Sequence, residues 1–450
     1  MEFLVVGLNH RTSPLDVREK LTLAKSQWPQ ALSDMAEYGV PGVILSTCNR
    51  SEFYALEPAN PQTTDQSSNL KWKGSGEDRI KQFLVDKFSV SLLDVDRFLY
   101  VHRERDCVHH LFRVASSLDS MILGEEQIIG QVREAFDIAA QSENLPSSMS
   151  FLFQRALRVG RRVRRETGIG RNALSVSKAC VELAKNALGD LKGRRAMVVG
   201  AGDAGELAAQ VLSQSGVDQI TVTNRTYERA LELAQGLSGQ VIPFQEFPDA
   251  LKTSDIVIGC TGSPGYILEA SAVRTAMAAR PDKPLFLLDI AVPRDIDPEA
   301  GEIENVFLHN VDDLESVSEA SRLEKAEDAR SAEDVVNKES ELFLDWWRTL
   351  EVLPTVINLR HKADQIREKE LNKTLKRLNG KLSPEEIGSI DSMTQAIVNK
   401  LLHEPTLFLK NRPSSTELDL AKELFGLSSP SPQDPIMRDH INNESSDAID

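Results

Sequence analysis

Cysteine is scarce in this chain. Its four copies among 450 residues, Cys48, Cys107, Cys180 and Cys260, fall at wide and irregular spacings. That excludes both a disulfide framework and a zinc ribbon, and it suits a reducing compartment. Long apolar runs are missing too: no segment approaches the ~18 uninterrupted apolar residues of a membrane span. Positive charge is in deficit, with 52 Lys and Arg against 68 Asp and Glu and a net charge of −16. Generic nucleic-acid affinity, which calls for a basic surface, is therefore not expected, although an average can conceal a local patch. The chain opens on the strand-like Glu2-Phe3-Leu4-Val5-Val6-Gly7 with neither a basic leader nor a small-residue cleavage site, so the expectation is a mature cytoplasmic protein. What is present is ordinary for a globular protein, 41% apolar and 27% charged residues, at a length that suits roughly two to four domains.

The periodicity divides the chain. Over the first ~150 residues, strands at 2–8, 42–46 and 52–56 alternate with an amphipathic stretch at 23–38 and a polar loop at 58–76, as in a small α+β domain. The segment 106–127 reads as helical, and 151–190 continues as helix with an arginine-rich face. From Arg194 the pattern becomes alternating apolar strand and helix: strands at 195–200, 219–223, 255–260, 285–289 and 306–309, with helices at 204–214 and 226–236 between the first three. That is the signature of a doubly wound parallel sheet. Beyond Asp312 the strands disappear. Leu342, Phe343, Trp346, Trp347 and Leu350 fall at helical spacing, Pro354 is expected to break that helix, and two more helices follow at 355–378 and 384–402. The second opens on Ser383-Pro384-Glu385-Glu386, a capping box with proline at the first helical position. The last ~25 residues have the Ser-, Pro- and Asp-rich composition of a disordered tail. The expected domains are a catalytic domain at 1–155, a dinucleotide-binding domain at 156–312, a helical domain at 313–410 that buries its apolar face in a homodimer, and a short helix with a tail at 411–450.

Two patterns carry chemistry. In Gly200-Ala201-Gly202-Asp203-Ala204-Gly205 the glycines follow a strand and open a helix, the context in which they turn the chain tightly and admit a pyrophosphate to the helix N-terminus. About twenty residues on, where an NAD site carries a carboxylate for the ribose 2′-hydroxyl, stands Thr223-Asn224-Arg225-Thr226. Arg225, with Asn224 and Thr226, suits a 2′-phosphate, so the expected cofactor is NADPH. The loops Thr261-Gly262-Ser263 and Asp289–Arg294 follow later strands and are expected to border the nicotinamide.

The other pattern is Ser46-Thr47-Cys48-Asn49-Arg50, directly after the apolar run Gly42–Leu45. A nearby positive charge populates a thiolate, and Arg50 is two residues from Cys48; the same arginine could instead clamp a substrate carboxylate. Cys180 lies at helical spacing among apolar residues and reads as core, and packing is also the better reading of Cys260. Cys107 with His102, His109 and His110 invites a metal, but the spacings match no standard motif and no metal site is expected. A thiolate that captures an activated acyl group as a thioester makes its carbon reducible by hydride, with release of an aldehyde.

These motifs, together with Asp119-Ser120, Gly124-Glu125-Glu126-Gln127-Ile128, Gly130-Gln131, Asp289–Asp295 and Val311-Asp312-Asp313-Leu314, closely resemble those of glutamyl-tRNA reductase, in the same order from residue 1 to about 410. The resemblance implies NADPH-dependent reduction of L-glutamyl-tRNA(Glu) to glutamate-1-semialdehyde, the first step of five-carbon tetrapyrrole synthesis. It implies that Cys48 forms the thioester, that His110 is needed for activity, and that Thr47, Asn49, Arg50, Ser120, Glu125, Glu126, Gln127 and Gln131 contact the substrate. Glu126 departs from the family, where many members carry proline. A dimer joined through the C-terminal helices, with no metal, and handover of the aldehyde to glutamate-1-semialdehyde aminomutase are implied as well. The cluster Arg155, Arg158, Arg161, Arg162, Arg164, Arg165 and Arg171 is a candidate surface for tRNA phosphates. Two rival readings are a shikimate-dehydrogenase-like NADP oxidoreductase, which leaves Cys48 and the helical appendage unexplained, and a non-catalytic tRNA-binding relative, against which Cys48 and the complete glycine loop speak.

Overall fold

The computed structural model describes residues 2–57, 74–171, 175–317, 323, 325–378, 380–410 and 415–427. The polar loop expected at 58–76 falls largely outside them, as does the tail from 428. The chain forms two compact units, Met1–Ser340 and Glu341–Asp450.

In the first unit, β1 (Glu2–Asn9), β2 (Gly42–Ser46), β3 (Arg50–Glu57) and β4 (Tyr100–Arg103) form an antiparallel sheet in the order β2-β3-β1-β4. The continuous apolar run of β1 is buried on both faces, as a central strand requires. Around the sheet lie α1 (Leu15–Lys20), α2 (Trp28–Glu37), α3 (Gly76–Phe88), α4 (Glu104–Ala115), α5 (Gln127–Ala140) and α6 (Ser147–Glu166). Two helical expectations are corrected. The helix predicted over 106–127 ends at Ala115, because Ser117 (φ 58°) and Gly124 (φ 79°) adopt left-handed backbone; the intervening residues become a loop that Ser117 Oγ ties to the Glu125 carbonyl at 2.5 Å. The helix predicted over 151–190 is two helices, α6 and α7 (Val176–Leu188), since Thr167 is extended and turns its hydroxyl back onto the Val163 carbonyl.

The second sheet is parallel: β5 (Arg195–Val199), β6 (Gln219–Thr223), β7 (Gln240–Val241), β8 (Ile256–Gly259), β9 (Leu285–Asp289) and β10 (Val306–Asn310), in the order β10-β9-β8-β5-β6-β7. Its apolar strands are covered on both faces. One cluster packs α7, α8 (Asp203–Gln214) and α9 (Tyr227–Gly236) on one side, and another packs α10 (Ala270–Ala278) on the other. The order reverses between β5 and β8, so the loops leaving those two strands flank a crevice.

The second unit is helical. The helix α11 (Ala326–Leu378) enters it and runs straight through Pro354, contrary to the break expected there. Proline in a helix interior costs about 3 kcal/mol. Burial on either side offsets that cost: Phe343, Leu344 and Trp347 precede it, and Val356 and Leu359 follow, packed against Leu409 and Ala421. The helix α12 (Pro384–Lys410) begins on the expected capping box, Ser383 N donating to Glu386 at 2.7 Å and Glu386 N to Ser383 Oγ at 3.3 Å. It runs past residue 402, where an end was expected, and α13 (Ser415–Leu424) follows. Met393, Ile397, Leu401 and Phe408 leave an exposed apolar stripe along α12.

Candidate active site

β2 and β3 pair as far as Ser46 and Ser51, and the four residues between them close a tight turn. Thr47 organises it: its N–H donates to the Arg50 carbonyl at 2.8 Å, and its hydroxyl accepts from the N–H groups of Asn49 and Arg50, both at 3.2 Å. Cys48 therefore sits at the tip of a hairpin, half-buried. Of the residues expected to contact substrate, Thr47, Asn49, Arg50, Ser120, Glu125, Gln127 and Gln131 line one small pocket with it. The Asn49 Oδ1 is buried there without a hydrogen-bond partner, a free acceptor facing a polar site. Glu126 is exposed and does not line the pocket, and neither does His110.

Of the two roles open to Arg50, activating charge or carboxylate clamp, the geometry lends the first no support. Its guanidinium turns into the protein, Nη1 donating to Glu52 Oε1 at 2.7 Å and to Asp119 Oδ2 at 3.1 Å, and Nη2 to the Asp119 carbonyl at 2.6 Å. Burial, with the Glu125 carboxylate as the next contribution, pushes the Cys48 thiol up to about 11, against the opposing pull of Arg18. Glu52 is fully buried and accepts four hydrogen bonds in all, the others from Tyr54 OH at 2.6 Å, Tyr100 OH at 2.5 Å and His110 Nε2 at 2.8 Å. Although burial opposes ionisation, Arg50 and His110 hold its carboxyl far below the usual range. Asp119, likewise lowered by Arg50 despite burial, also accepts from Arg11 Nη1 at 2.9 Å. His110 thus belongs to a buried charge network one layer behind Cys48. Burial and the charges of Arg50 and Arg11 hold His10, whose backbone N–H bonds the Asn49 carbonyl, at about 3, so its ring is neutral.

Glu52 and Arg18 escaped the sequence reading. The period of a strand places Arg50 and Glu52 on one face of β3, and two opposite charges two residues apart at the head of a buried strand were a readable signal. Arg18 carried none, because its neighbours come from distant parts of the chain.

The glycine loop fits a dinucleotide. Gly200 has φ 119° and leads from β5 into the turn, while a Cβ on Gly205 would meet the Gly200 carbonyl at 2.5 Å and Cys260 Sγ at 2.8 Å, so that helix and strand approach only because no side chain intervenes. A Cβ on Gly202, at the N-terminus of α8, would meet nothing within 4 Å. Backbone at a helix N-terminus facing open space is a ready phosphate cradle. At the end of β6, Asn224 Nδ2 bonds the Thr226 carbonyl at 3.0 Å, and Arg225 is exposed and free of ion pairs among the described residues. Cys260 packs under the loop, and Thr261 bonds Asp295 through N–H (2.7 Å) and hydroxyl (2.5 Å), fixing the two strand-end loops to each other.

The basic cluster on α6 is partly committed to structure. Arg155 and Arg162 both pair with Glu339, and Arg164 turns inward to the carbonyls of Gly124 and Glu125 and the hydroxyl of Ser117. Arg161, Arg165 and Arg171 remain exposed. Among the described residues no cluster of metal-ligating side chains occurs, and no helix is long and apolar enough to cross a membrane.

Three family models match in succession: the glutamyl-tRNAGlu reductase N-terminal domain over residues 6–167, shikimate / quinate 5-dehydrogenase over 182–317, and the glutamyl-tRNAGlu reductase dimerisation domain over 331–427. The chain is 40% identical to a glutamyl-tRNA reductase of Thermodesulfovibrio yellowstonii, over 95% of this chain and 99% of that protein. It is 41% identical to one of Carboxydothermus hydrogenoformans, over 94% and 92%. The solved glutamyl-tRNA reductase from Methanopyrus kandleri is similar with a TM-score of 0.50 and 29% identity, covering 95% of this chain and 99% of that one.

Proposed function

This chain belongs to the glutamyl-tRNA reductase family, and from that premise we propose how its residues carry out the reduction of glutamyl-tRNA to glutamate-1-semialdehyde, the precursor of tetrapyrroles. The observation that carries the reading is the Cys48 turn: a thiol at a hairpin tip, in a pocket of polar side chains. The Cys48 sulfur attacks the ester carbonyl of the glutamyl group, a carbon–sulfur bond forms, and the bond to the tRNA ribose oxygen breaks, that oxygen taking up a proton. Thr47, Asn49, Arg50, Ser120, Glu125, Gln127 and Gln131 orient the glutamyl group, and the unpartnered Asn49 Oδ1 accepts from one of its donors. His110, through Glu52, holds the Arg50 guanidinium in place behind the turn. Gly200–Gly205 would hold the pyrophosphate of NADPH, which would supply the hydride needed to release the acyl group from Cys48 as aldehyde. Arg225, Asn224 and Thr226 select its 2′-phosphate, a reading supported by the absence of a carboxylate at the end of β6 and by the exposure of Arg225.

The tRNA backbone lies against Arg161, Arg165 and Arg171, the cluster members that internal partners leave exposed. The dimerisation-domain match and the apolar stripe of α12 support a homodimer through the second unit. A free thiol nucleophile suits the reducing cytoplasm, and the reactive aldehyde calls for handover to an aminomutase. The test is aldehyde formation from NADPH and glutamyl-tRNA. Cys48→Ser should lose at least about a thousandfold, and alanine at Arg161, Arg165 and Arg171 should weaken tRNA binding with a shallower salt dependence. Full activity of Cys48→Ser would refute the thioester route, and an unchanged salt slope would place the tRNA elsewhere.

A further inference from the structure

Two consecutive residues of the short helix α1 reach from the catalytic domain to the cofactor domain. Arg18, only 2% exposed, donates through Nη2 to Asp312 Oδ1 at 2.5 Å and through Nη1 to the Ser13 carbonyl at 2.9 Å. Glu19 takes a fork from Arg294, in the loop after β9: Nε to Oε1 at 2.7 Å, Nη2 to Oε2 at 3.0 Å, and the Arg294 backbone N–H to Oε1 at 2.9 Å. Alongside these ion pairs, Leu15, Met121 and Ile122 of the catalytic domain join one apolar cluster with Ile290 and Val311 of the cofactor domain. In this docked arrangement the Cys48 pocket, walled on one side by Val176 at the start of α7, holds only about 10 Å³ of free space, room for about one water. Val176 is the wall that the cofactor domain contributes, so a looser docking widens the pocket for the glutamyl group, whereas hydride transfer requires the dinucleotide loop and Cys48 to face each other at close range.

We propose that Glu19–Arg294 and Arg18–Asp312 form a two-point ionic latch that positions the cofactor domain over Cys48 for the reduction step and is released for acylation. Latch residues are positioning residues: they touch neither substrate nor cofactor, and they act by setting the docked population. The bidentate fork and backbone contact of Arg294 make that pair directional, while the burial of Arg18 gives the other its strength. The inference rests on the reductase reading above.

Glu19 and Arg294 are the pair to test, because Arg18 and Asp312 both act on the Cys48 thiol and their removal would alter the nucleophile as well. In Glu19→Gln, hydrogen exchange at the Arg294 amide should accelerate at least about fivefold, read with no substrate or cofactor present. In single turnovers, Cys48 thioester formation without NADPH should be as fast as in the wild type or faster, and the subsequent reduction at least about tenfold slower. The double variant E19R/R294E, which restores the pair with reversed charge, should recover much of that reduction rate. Unchanged exchange, an unchanged reduction rate, a reversed pair that recovers nothing, or acylation and reduction falling by equal factors would each overturn the latch. If the wild type formed no thioester at all, the reductase reading would fail, and the exchange measurement would still judge the latch.

Discussion

In the proposed route Cys48 is the nucleophile, and its surroundings favour the protonated thiol. With the thiol pushed up to about 11 by burial and by Glu125, only about one molecule in 10⁴ carries a thiolate at pH 7. Because the thiolate fraction grows with pH until the pKa is reached, alkylation of Cys48 by iodoacetamide in the free protein should rise about tenfold per pH unit from 7 to 9 with no plateau. A plateau near pH 8 would show an activated resting thiol instead. Glu125→Gln removes a negative charge from the same pocket, so it should bring the thiol down and speed alkylation at pH 8. Arg50 makes the contrasting point. Its proximity in sequence suggested a charge aimed at Cys48, yet the pleat of β3 aims it at Glu52 and Asp119.

At the scale of elements, the βα turn of the cofactor domain separates folding from binding. Gly205→Ala drives a Cβ into the Gly200 carbonyl and should destabilise the protein by about 1–3 kcal/mol. Gly202→Ala meets nothing within 4 Å. It should leave the melting temperature within a degree or two and yet weaken NADPH binding at least about tenfold, by occupying the space the pyrophosphate needs. Titration of both variants, with thermal unfolding as the control, checks the pair; equal stabilities would refute it. Five of the six strands of this domain were legible in the sequence almost to the residue, because buried parallel strands are uninterrupted apolar runs bounded by turn residues, whereas the two-residue edge strand β7 was not foreseen. The helix ends at Ala115 and Thr167 were not. Serine and threonine there close or bend the chain through side-chain bonds and left-handed backbone, which composition does not announce. Pro354 failed in the opposite sense, since packing on both sides of it outweighs a local rule. In the site, the pocket residues of the 47–50 turn and of the loop before α5 were legible as motifs. The Glu52 network draws Tyr100, His110 and Asp119 from 48 to 69 positions away, and the α1 contacts span 275 and 294, beyond the reach of spacing.

For the whole molecule, the exposed stripe of α12 offers a test of the proposed association. Met393, Ile397 and Leu401 recur at intervals of four and are 49–70% exposed, a pattern that a soluble helix covers with a partner. Charging it with Ile397→Glu and Leu401→Glu should shift sedimentation from dimer to monomer, while single-turnover acylation of Cys48 in the other unit continues. A dimer that persists would mean that the copies meet through another surface.

The high resting pKa of Cys48 has a consequence for survival as well as for rate. Peroxide and disulfide oxidants attack thiolates, and a sulfur that stays protonated is a poor target for them. An exposed, permanently ionised cysteine would gain speed in the first half-reaction and would be converted to sulfenic acid between turnovers. Half-buried at its hairpin tip and held protonated, the thiol of Cys48 is shielded from such oxidants while the enzyme idles.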